Sequence, residues 1–172
     1  MLSFRRRQVI FSQGDINDAA FFIEKGCVKL TVISGQGKEA IFAVLDVGCL
    51  FGEGCIASSR GGRPYNVVAL TDTRVAKITR EMMINVLQTD IDTAYAFIRY
   101  LLQMNEGFRE NLVHTLSDSA EERLAQALLL IARLNVKTGL RYPKLSQQEL
   151  ADMVGVSRQR VNWFMKRHAK AA

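Results

Sequence analysis

Residues 145–165 constrain the fold of this chain more than any other stretch, because they predict two short helices joined by a tight corner. Ser146 is a favourable N-cap residue, and Glu149, three positions later, completes a capping box. Gly155 can adopt the positive φ that ends a helix. Ser157 then caps a second helix. The stretch therefore predicts a compact pair of helices.

The residue types in this pair are those of a helix-turn-helix. Ala151 provides a small residue where the helices cross, Gly155 provides the corner, and Val161 provides a β-branched residue for the second helix. The apolar residues expected to face inward include Leu150, Val154, Phe164 and Met165. The residues expected on the outer face, of types that hydrogen-bond bases and phosphates, are Arg158, Gln159, Arg160, Asn162 and Lys166. The alternative is an ordinary αα-hairpin whose basic face is only solvated.

Positive charge is concentrated near the end of the chain. The net charge is +6, and residues 141–172 contain seven cationic side chains against two acidic ones, a local net charge of +5. Such a concentration favours contact with a polyanion. A second basic run, at residues 5–7, is interpreted as solvated surface.

Composition excludes several classes of protein. The chain has 172 residues, 48% of them hydrophobic, which is enough for a real core. No apolar run reaches membrane-spanning length and no signal peptide opens the chain, so we expect a soluble, cytoplasmic protein. The three cysteines are expected to be buried small hydrophobic residues, with a redox sensor as the alternative. Without a Ser-His-Asp, metal-binding or Walker arrangement in the sequence, we predict neither an enzyme nor a metal site.

Residues 8–80 predict a β-domain. Short runs rich in Val, Ile and Phe alternate with glycine-containing turns, and no helical pattern separates them. This arrangement indicates a sandwich or jelly roll rather than a parallel sheet. The strands are expected at 8–11, 20–24, 28–33, 39–45 and 74–78.

One segment of this domain departs from strand alternation and has the chemistry of a ligand site. Glu53 lies between Gly52 and Gly54, which allow a ligand close to the backbone, and a helical turn here would direct N–H groups at an anion. A carboxylate can accept a hydrogen bond from a ribose hydroxyl, and the later Arg63 can grip a phosphate. A surface salt bridge would explain the same residues, and this alternative stays open.

A long helix is predicted after a short one at residues 80–87. It starts at Asp90 or Asp92 and continues through Leu112 with a broad apolar stripe. A soluble helix of this length usually needs a partner, so we interpret it as a dimerisation helix. Packing on its own β-domain is the alternative.

The capping box of Ser119 and Glu122 predicts another helix, over residues 121–134. Residues 135–143 are rich in turn formers and are expected to form a linker to the helix-turn-helix.

This order of elements resembles the CRP/FNR (catabolite activator) family of bacterial transcription regulators. The resemblance covers nearly the whole chain. In the β-domain it rests on residues 51–53, the ten-residue step from Glu53 to Arg63, and residues 67–69. In the C-terminal region it rests on residues 120–125, 145–151 and 155–161.

The resemblance implies an α+β fold in three parts. Residues 1–88 would form a double-stranded β-helix, a jelly roll of the cyclic-nucleotide-binding type. Residues 89–117 would form the dimerisation helix, and residues 118–172 a helix-turn-helix of the winged-helix type. The implied function is DNA-binding transcription regulation, controlled by an effector in the β-domain.

The resemblance also implies roles for individual residues. Glu53 matches the family glutamate that binds the ribose 2′-hydroxyl, and Arg63 matches the arginine on the cyclic phosphate of cyclic AMP or cyclic GMP. The rest of the implied ligand site is Phe51, Gly52, Gly54, Pro64, Phe108 and Arg109. The implied DNA contacts are Gln147 and Ser157 on phosphates, with Arg158, Gln159, Arg160, Asn162 and Lys166 on the recognition helix. The implied partners are near-palindromic double-stranded DNA, a second copy of the chain through the long helix, and RNA polymerase.

The sequence departs from the family pattern in three places. Pro64 stands where cyclic-AMP responders usually have a serine, and proline offers no N–H or hydroxyl. Phe108 and Arg109 stand where those proteins read adenine with a Thr-Ser pair; Phe108 either stacks on a base or belongs to the dimer core. The chain ends where members of the family continue into a β-hairpin wing, so we expect a winged helix lacking its wing. The alternative function is an effector-sensing dimer whose DNA binding is weakened or lost by truncation.

Overall fold

The computed structural model describes residues 1–35, 37, 39–57, 61–138 and 145–168, and the side chains of all of these except 133–138 and 168. The strands are β1 Leu2–Phe4, β2 Val9–Phe11, β3 Ala19–Lys25, β4 Val28–Ile33, β5 Glu39–Leu45, β6 Leu50–Phe51, β7 Asn66–Ala69 and β8 Thr73–Thr79. The helices are α1 Arg80–Thr89, α2 Ile91–Ser117, α3 Ala120–Thr138, α4 Gln147–Val154 and α5 Arg158–His168. A 3-10 turn, Glu53–Cys55, follows β6.

The strands form two antiparallel sheets with the orders β1-β8-β3-β6 and β2-β7-β4-β5. The jelly-roll prediction is therefore confirmed, and so are the five predicted strands. Two of them match β4 and β5 residue for residue; β2 begins one residue later than predicted, and β3 and β8 are one residue longer at each end. The sequence pattern missed β1, β6 and β7. β6 has only two residues, and β7 opens on Asn66, a residue type depleted in strands.

Aromatic rings fill the space between the two sheets. The Phe21 and Phe51 rings stack with their centroids 5.3 Å apart, and the Phe11 ring lies 5.8 Å from Phe21 and 5.9 Å from Phe51. Such ring pairs add stability beyond the area that they bury. The core therefore reaches directly beneath β6, which carries Phe51 into the predicted ligand segment.

The long helix α2 follows α1 after Asp90, whose side chain accepts hydrogen bonds from the backbone N–H groups of Asp92 and Thr93. The helix ends at Ser117, five residues beyond the predicted last apolar residue. None of its residues is fully buried. It nevertheless packs against the β-domain through Phe97 and Tyr100, which contact the buried cluster of Ala20, Leu50 and Cys55.

Helix α3 starts after the predicted capping box. The Ser119 N–H donates to Glu122 Oε2, and the Glu122 N–H donates to Ser119 Oγ. The helix continues to Thr138, so the predicted linker is wrong for residues 135–138, and residues 139–143 lie outside the described residues. Extending an existing helix adds a hydrogen bond per residue without a new nucleation cost, which explains why the modest helix formers at 135–138 stay helical.

Arg123 connects the start of α3 to the rest of the C-terminal region. Its Nη1 donates to the Asp118 carbonyl oxygen at 2.7 Å, and its Nε donates to the Val154 carbonyl oxygen at 3.1 Å. Asp118 follows the end of α2, and Val154 is the last residue of α4. One side chain therefore ties the α2–α3 junction to the corner of the helix-turn-helix. Among the described residues, no helix is both long and apolar enough to cross a membrane.

Candidate functional site

Gly52 shapes the first candidate site, the turn that follows β6. Its φ of 76° lies in the left-handed region, and it precedes the 3-10 turn Glu53–Cys55. A Cβ at Gly52 would stand 2.6 Å from Arg63 Nη1 and 3.1 Å from the Ala19 carbonyl oxygen. Glycine is therefore required here both by the backbone conformation and by the close approach of the arginine.

The Arg63 guanidinium lies beneath this turn, inside the β-domain. Its side chain is 2% exposed, and its Cζ stands 4.2 Å from the centroid of the Phe11 ring. Nη1 donates to the Gly52 carbonyl oxygen at 3.4 Å, and Nη2 lies 3.7 Å from Asp18 Oδ1. Nε is buried without a hydrogen-bond partner among the described residues. The Arg63 charge is therefore balanced by two long polar contacts, to Gly52 and Asp18, and by the face of the Phe11 ring.

The Glu53 carboxylate adds an acceptor to the same site. Its Oε2 is buried and has no hydrogen-bond partner among the described residues. Burial raises the pKa of Glu53, and its own backbone N–H and the charge of Arg63 offset part of this rise. A buried acceptor without a partner costs about 1–3 kcal/mol. Glu53 and Arg63 together suit a ligand that brings a hydroxyl donor and an anion, which is the chemistry of a ribose phosphate.

Tyr65 contacts the Gly52 N–H, whereas Arg63 contacts the Gly52 carbonyl oxygen. Tyr65 was not predicted from the sequence as part of the site. Its Oη accepts a hydrogen bond of 3.1 Å from the Gly52 N–H, and burial raises its pKa to about 12. The Phe42 ring meets Tyr65 edge-on with centroids 5.5 Å apart. The only signal in the sequence was an aromatic residue two positions after Arg63. Pro64, between them, is exposed, as is Gly54.

The structure separates the two residues predicted on the long helix. Phe108 of α2 reaches the β-domain, where its ring centroid lies 6.4 Å from that of Phe42. Arg109, the next residue, is exposed on α2. The rings of Phe42, Tyr65 and Phe108 therefore form a chain of contacts that runs from the Gly52 turn to helix α2.

The second candidate site is the helix-turn-helix formed by α4 and α5. Ser146 and Glu149 make both hydrogen bonds of the predicted capping box, and Gly155 closes α4 with a φ of 72°. Ala151 and Val161 are buried where the helices meet, as predicted. The small hydrophobic core also contains Ala120, Leu124, Ala127, Leu150, Val154 and Phe164. The prediction that Met165 faces inward is wrong, because its side chain is 40% exposed.

Four predicted DNA-binding residues line one concavity of about 410 Å³: Gln147, Arg158, Gln159 and Asn162. Gln147 Nε2 donates to Asn162 Oδ1 at 3.4 Å, which links the start of α4 to the middle of α5. Ser157 Oγ accepts the Arg160 N–H at 3.3 Å and so caps α5. Arg160 stands over the Phe164 ring, 5.7 Å from its centroid, and Lys166 is exposed. The concavity offers amide and guanidinium groups suited to base edges.

Comparison with known families gives two matches along the chain. The cyclic nucleotide-binding domain family matches residues 1–90, and the Crp-like helix-turn-helix domain family matches residues 122–171. The first covers the β-domain with its Glu53 turn, and the second covers α4 and α5. The helix-turn-helix match favours a DNA-binding regulator over a sensor without DNA output.

Curated relatives match along most of their length. The "CRP-like cAMP-activated global transcriptional regulator" of Mycobacterium tuberculosis (strain H37Rv) is 26% identical over 165 residues, which cover 94% of this chain and 73% of that protein. The "Global nitrogen regulator" of Synechocystis sp. (strain PCC 6803) is 29% identical over 164 residues, which cover 91% of this chain and 72% of that protein.

Solved structures show the same fold. A CRP-family transcriptional regulator from Thermus thermophilus superposes with a TM-score of 0.83 at 19% identity, covering 99% of this chain and 85% of that one. The two family matches and this similarity agree that the β-domain and the helix-turn-helix occur together in one known fold. The chain belongs to the CRP/FNR family, and it is a DNA-binding transcriptional regulator under the control of an effector in its cyclic nucleotide-binding domain.

Proposed function

We propose that this regulator is a cytoplasmic homodimer that binds cyclic AMP or cyclic GMP at the Glu53–Arg63 site and then reads a near-palindromic DNA site with α5. The observation that carries the proposal is a pair of buried polar atoms in that site, Glu53 Oε2 and Arg63 Nε, which have no hydrogen-bond partner within the described part of the chain. A relative named as cAMP-activated makes cyclic AMP the first ligand to test. Among the residues that the structure describes, no group of three or more His, Cys, Asp or Glu side chains could hold a metal ion.

The ligand would satisfy the polar groups that the fold leaves short of partners. Its ribose 2′-hydroxyl would donate to Glu53, and its cyclic phosphate would approach Arg63 and the N–H groups of the 3-10 turn after Gly52. Pro64 contributes neither an N–H nor a hydroxyl, so Arg63 would hold the phosphate with one side-chain donor fewer than in the family pattern. The rings of Phe42, Tyr65 and Phe108 would offer the base apolar, stacking contacts.

The exposed face of α2 supports dimerisation through this helix. Apolar residues recur along it at alternating steps of four and three residues, which is the heptad spacing of a two-stranded coiled coil. These residues are Ile91, Tyr95, Ile98, Leu102, Leu112 and Leu116, all exposed in the single chain. Asn105 and Arg109 occupy the two remaining positions of this seam. Polar seam residues fix the register of a coiled coil at some cost in stability, so one pairing of the two helices is favoured.

The DNA-binding proposal places the first turns of α5 in the major groove. Arg158 would contact a guanine edge, Gln159 and Asn162 neighbouring bases, and Gln147 and Ser157 phosphates. Arg160 and Lys166 would add positive charge along the backbone. In a two-fold dimer the two recognition helices would lie one DNA turn apart, ~34 Å. RNA polymerase is a further partner that family membership alone suggests.

The control of DNA binding follows from linkage between the two sites. A ligand shifts the equilibrium between two conformations of a protein only by as much as its affinities for them differ. Here α2 contacts the ligand domain through Phe97, Tyr100 and Phe108, and it ends at the Asp118 junction that Arg123 ties to α4. A change in the position of α2 would therefore change the spacing of the two recognition helices in the dimer.

The experiment that tests this function measures DNA affinity by fluorescence anisotropy on a palindromic site, with and without cyclic AMP or cyclic GMP. We expect one nucleotide to tighten DNA binding by about 5–150-fold, the usual range of allosteric coupling. Glu53→Gln should abolish this effect, whereas Glu81→Gln, an exposed glutamate on α1, should preserve it. Equal DNA affinity with and without both nucleotides would reject the proposed effector, and lack of DNA binding at low salt would reject the DNA-binding role.

A further inference from the structure

Tyr100 of α2 makes a two-way contact with the strand that leads into the Glu53 turn. Its Oη accepts a hydrogen bond of 2.8 Å from the Leu50 N–H and donates one of 2.7 Å to the Leu50 carbonyl oxygen. Burial raises the pKa of Tyr100 to about 12, so the hydroxyl keeps the proton that it donates. A single side-chain oxygen thus satisfies both backbone groups of one residue.

The backbone groups of Leu50 need this contact, because Leu50 lies in an edge strand. Strand β6 lies at the edge of its sheet, where the neighbouring residue Cys49 bonds through its carbonyl oxygen to the Ile23 N–H of β3. Backbone groups of successive residues in a strand point to opposite sides, so those of Leu50 point away from the sheet. Edge groups of this kind need a partner from outside the sheet. Tyr100 supplies that partner.

Two residues separate Leu50 from the ligand turn. Phe51 stacks on Phe21 in the core, and Gly52, with its left-handed φ, opens the turn against Arg63. This short segment pairs with β3 at Leu50 and Phe51 and contacts the Arg63 side chain at Gly52. A shift of Gly52 and Glu53 toward a ligand therefore moves Leu50, and the tyrosine clamp carries the movement to α2.

We propose that Tyr100 is the positioning residue that transmits ligand occupancy of the Glu53–Arg63 site to α2, through its paired hydrogen bonds to Leu50. The inference rests on the proposed function, because it assumes that a cyclic nucleotide binds at that site. The Tyr100 hydroxyl group alone would then carry the coupling between the nucleotide site and α2. Phe97, which packs on the same buried cluster, holds α2 to the domain by apolar contact alone.

Tyr100→Phe isolates this role, because it removes both hydrogen bonds and keeps the ring. The measured quantity is the coupling ratio, the DNA dissociation constant without nucleotide divided by that with saturating nucleotide. We expect the ratio to fall at least about fivefold toward one, the lower end of ordinary allosteric coupling. Calorimetry on DNA-free protein should still show nucleotide binding. A purely structural role would lower the melting temperature or both DNA affinities without changing the ratio.

Thr89→Val is the matched control, since it removes an exposed hydroxyl whose hydrogen bond, to the Asn85 carbonyl oxygen at 2.8 Å, stays within helix α1 and away from the dimer seam. It should keep the wild-type ratio. A second measurement uses the wild-type chain: hydrogen exchange should show that nucleotide changes the protection of the Leu50 amide and of the α2 backbone around Tyr100 together.

Each outcome decides the inference. An unchanged ratio in Tyr100→Phe, an equal loss in Thr89→Val, or exchange changes confined to the β-domain would overturn the role of Tyr100 and leave the proposed effector in place. If the wild-type chain binds neither cyclic AMP nor cyclic GMP, the proposed effector and the role of Tyr100 fall together.

Discussion

Arg63 Nη1 occupies the space where a side chain at Gly52 would begin, 2.6 Å from the position of a Cβ. The turn and the arginine are therefore fitted to one another. A ligand phosphate would meet the Arg63 charge only where the backbone at Gly52 leaves room for it. If the proposed ligand binds there, the glycine would serve ligand affinity as well as backbone conformation.

Gly52→Ala should therefore lose ligand affinity and stability together. Alanine in the left-handed region costs about 1–2 kcal/mol, and its methyl group would push the Arg63 guanidinium away from the turn. For a chain of this size we expect the melting temperature to fall by about 2–8 °C, since 1 kcal/mol corresponds to about 2–4 °C. Thermal unfolding and nucleotide calorimetry measure the two losses.

Gly35→Ala is the control for this substitution, because a Cβ at this exposed glycine would meet no atom within 4 Å. It should change the melting temperature by less than about 2 °C, as most substitutions away from buried features do. Equal damage from both substitutions would contradict the assignment of the Arg63 fit to Gly52.

Glu53→Gln should stabilise the ligand-free protein near neutral pH. The pKa of Glu53 is raised in the folded state from a usual value of 4.5, so in that state the carboxyl group resists ionisation. The folded state then holds more protons than the unfolded state as the pH rises above 4.5, and stability falls over that interval. Above it we expect the variant to melt about 2–4 °C higher, which is about 1 kcal/mol.

This advantage should vanish as the pH falls below about 4.5, because wild-type Glu53 is then protonated in both states. Melting curves of the two proteins from pH 4 to 8 give the measurement, with Glu81→Gln as the exposed control. A variant that is less stable than the wild type at pH 7 would show that Glu53 is paired rather than strained.

Much of the architecture was predictable because it depends on local patterns. Helix caps such as Ser146 and Ser119, and the runs rich in Val, Ile and Phe in β4 and β5, are local signals, and the structure reproduces them. The two-residue strand β6 has no such pattern, because it exists through its pairing with Phe21 and Phe22 of β3. Long-range pairing of this kind leaves little trace in a single sequence.

The candidate sites divide along the same line. Glu53, Arg63 and the α5 side chains were found because their residue types and spacing carry their chemistry. Tyr65 and Tyr100 were missed because their importance lies in hydrogen bonds with the backbone groups of Gly52 and Leu50, and backbone groups carry no signal in the residue types at those positions. Met165 was misplaced because the helical period alone does not fix the width of a buried face.

Arg123→Lys should weaken the C-terminal region. A lysine has one nitrogen and cannot reproduce the fork that donates to both the Asp118 and Val154 carbonyl oxygens. Loss of one charged hydrogen bond costs about 1.5–3 kcal/mol, so we expect a lower melting temperature and weaker DNA binding. Arg99→Lys, an exposed arginine on α2, should change neither. Unaltered melting of Arg123→Lys would show that the junction is held by other contacts.

Leu102→Asp should disrupt the proposed dimer seam. An aspartate in the centre of a coiled-coil interface places a charge in an apolar environment, which is costly without a partner. Light scattering should then report the mass of one chain, 19.3 kDa, instead of twice that value. Gln103→Asp introduces the same charge one position away, on the exposed side of the seam, and should leave the dimer intact. A dimer that survives Leu102→Asp would place the interface elsewhere.

Arg158→Ala should remove one base contact from each half-site of the DNA complex. Its guanidinium lines the concavity at the start of α5, where a bidentate contact to a guanine is worth about 1–3 kcal/mol. We expect affinity for the cognate site to fall about 5–150-fold for each half-site, with discrimination lost at one base position per half-site. The salt dependence of binding should stay unchanged, because no phosphate contact is lost. Lys166→Ala should instead weaken binding to all sequences alike and lower the salt slope by about one. Arg5→Ala removes an equal charge from the exposed surface of the β-domain and serves as the control for net charge. A uniform loss for Arg158→Ala across all base substitutions would show that Arg158 binds the phosphate backbone.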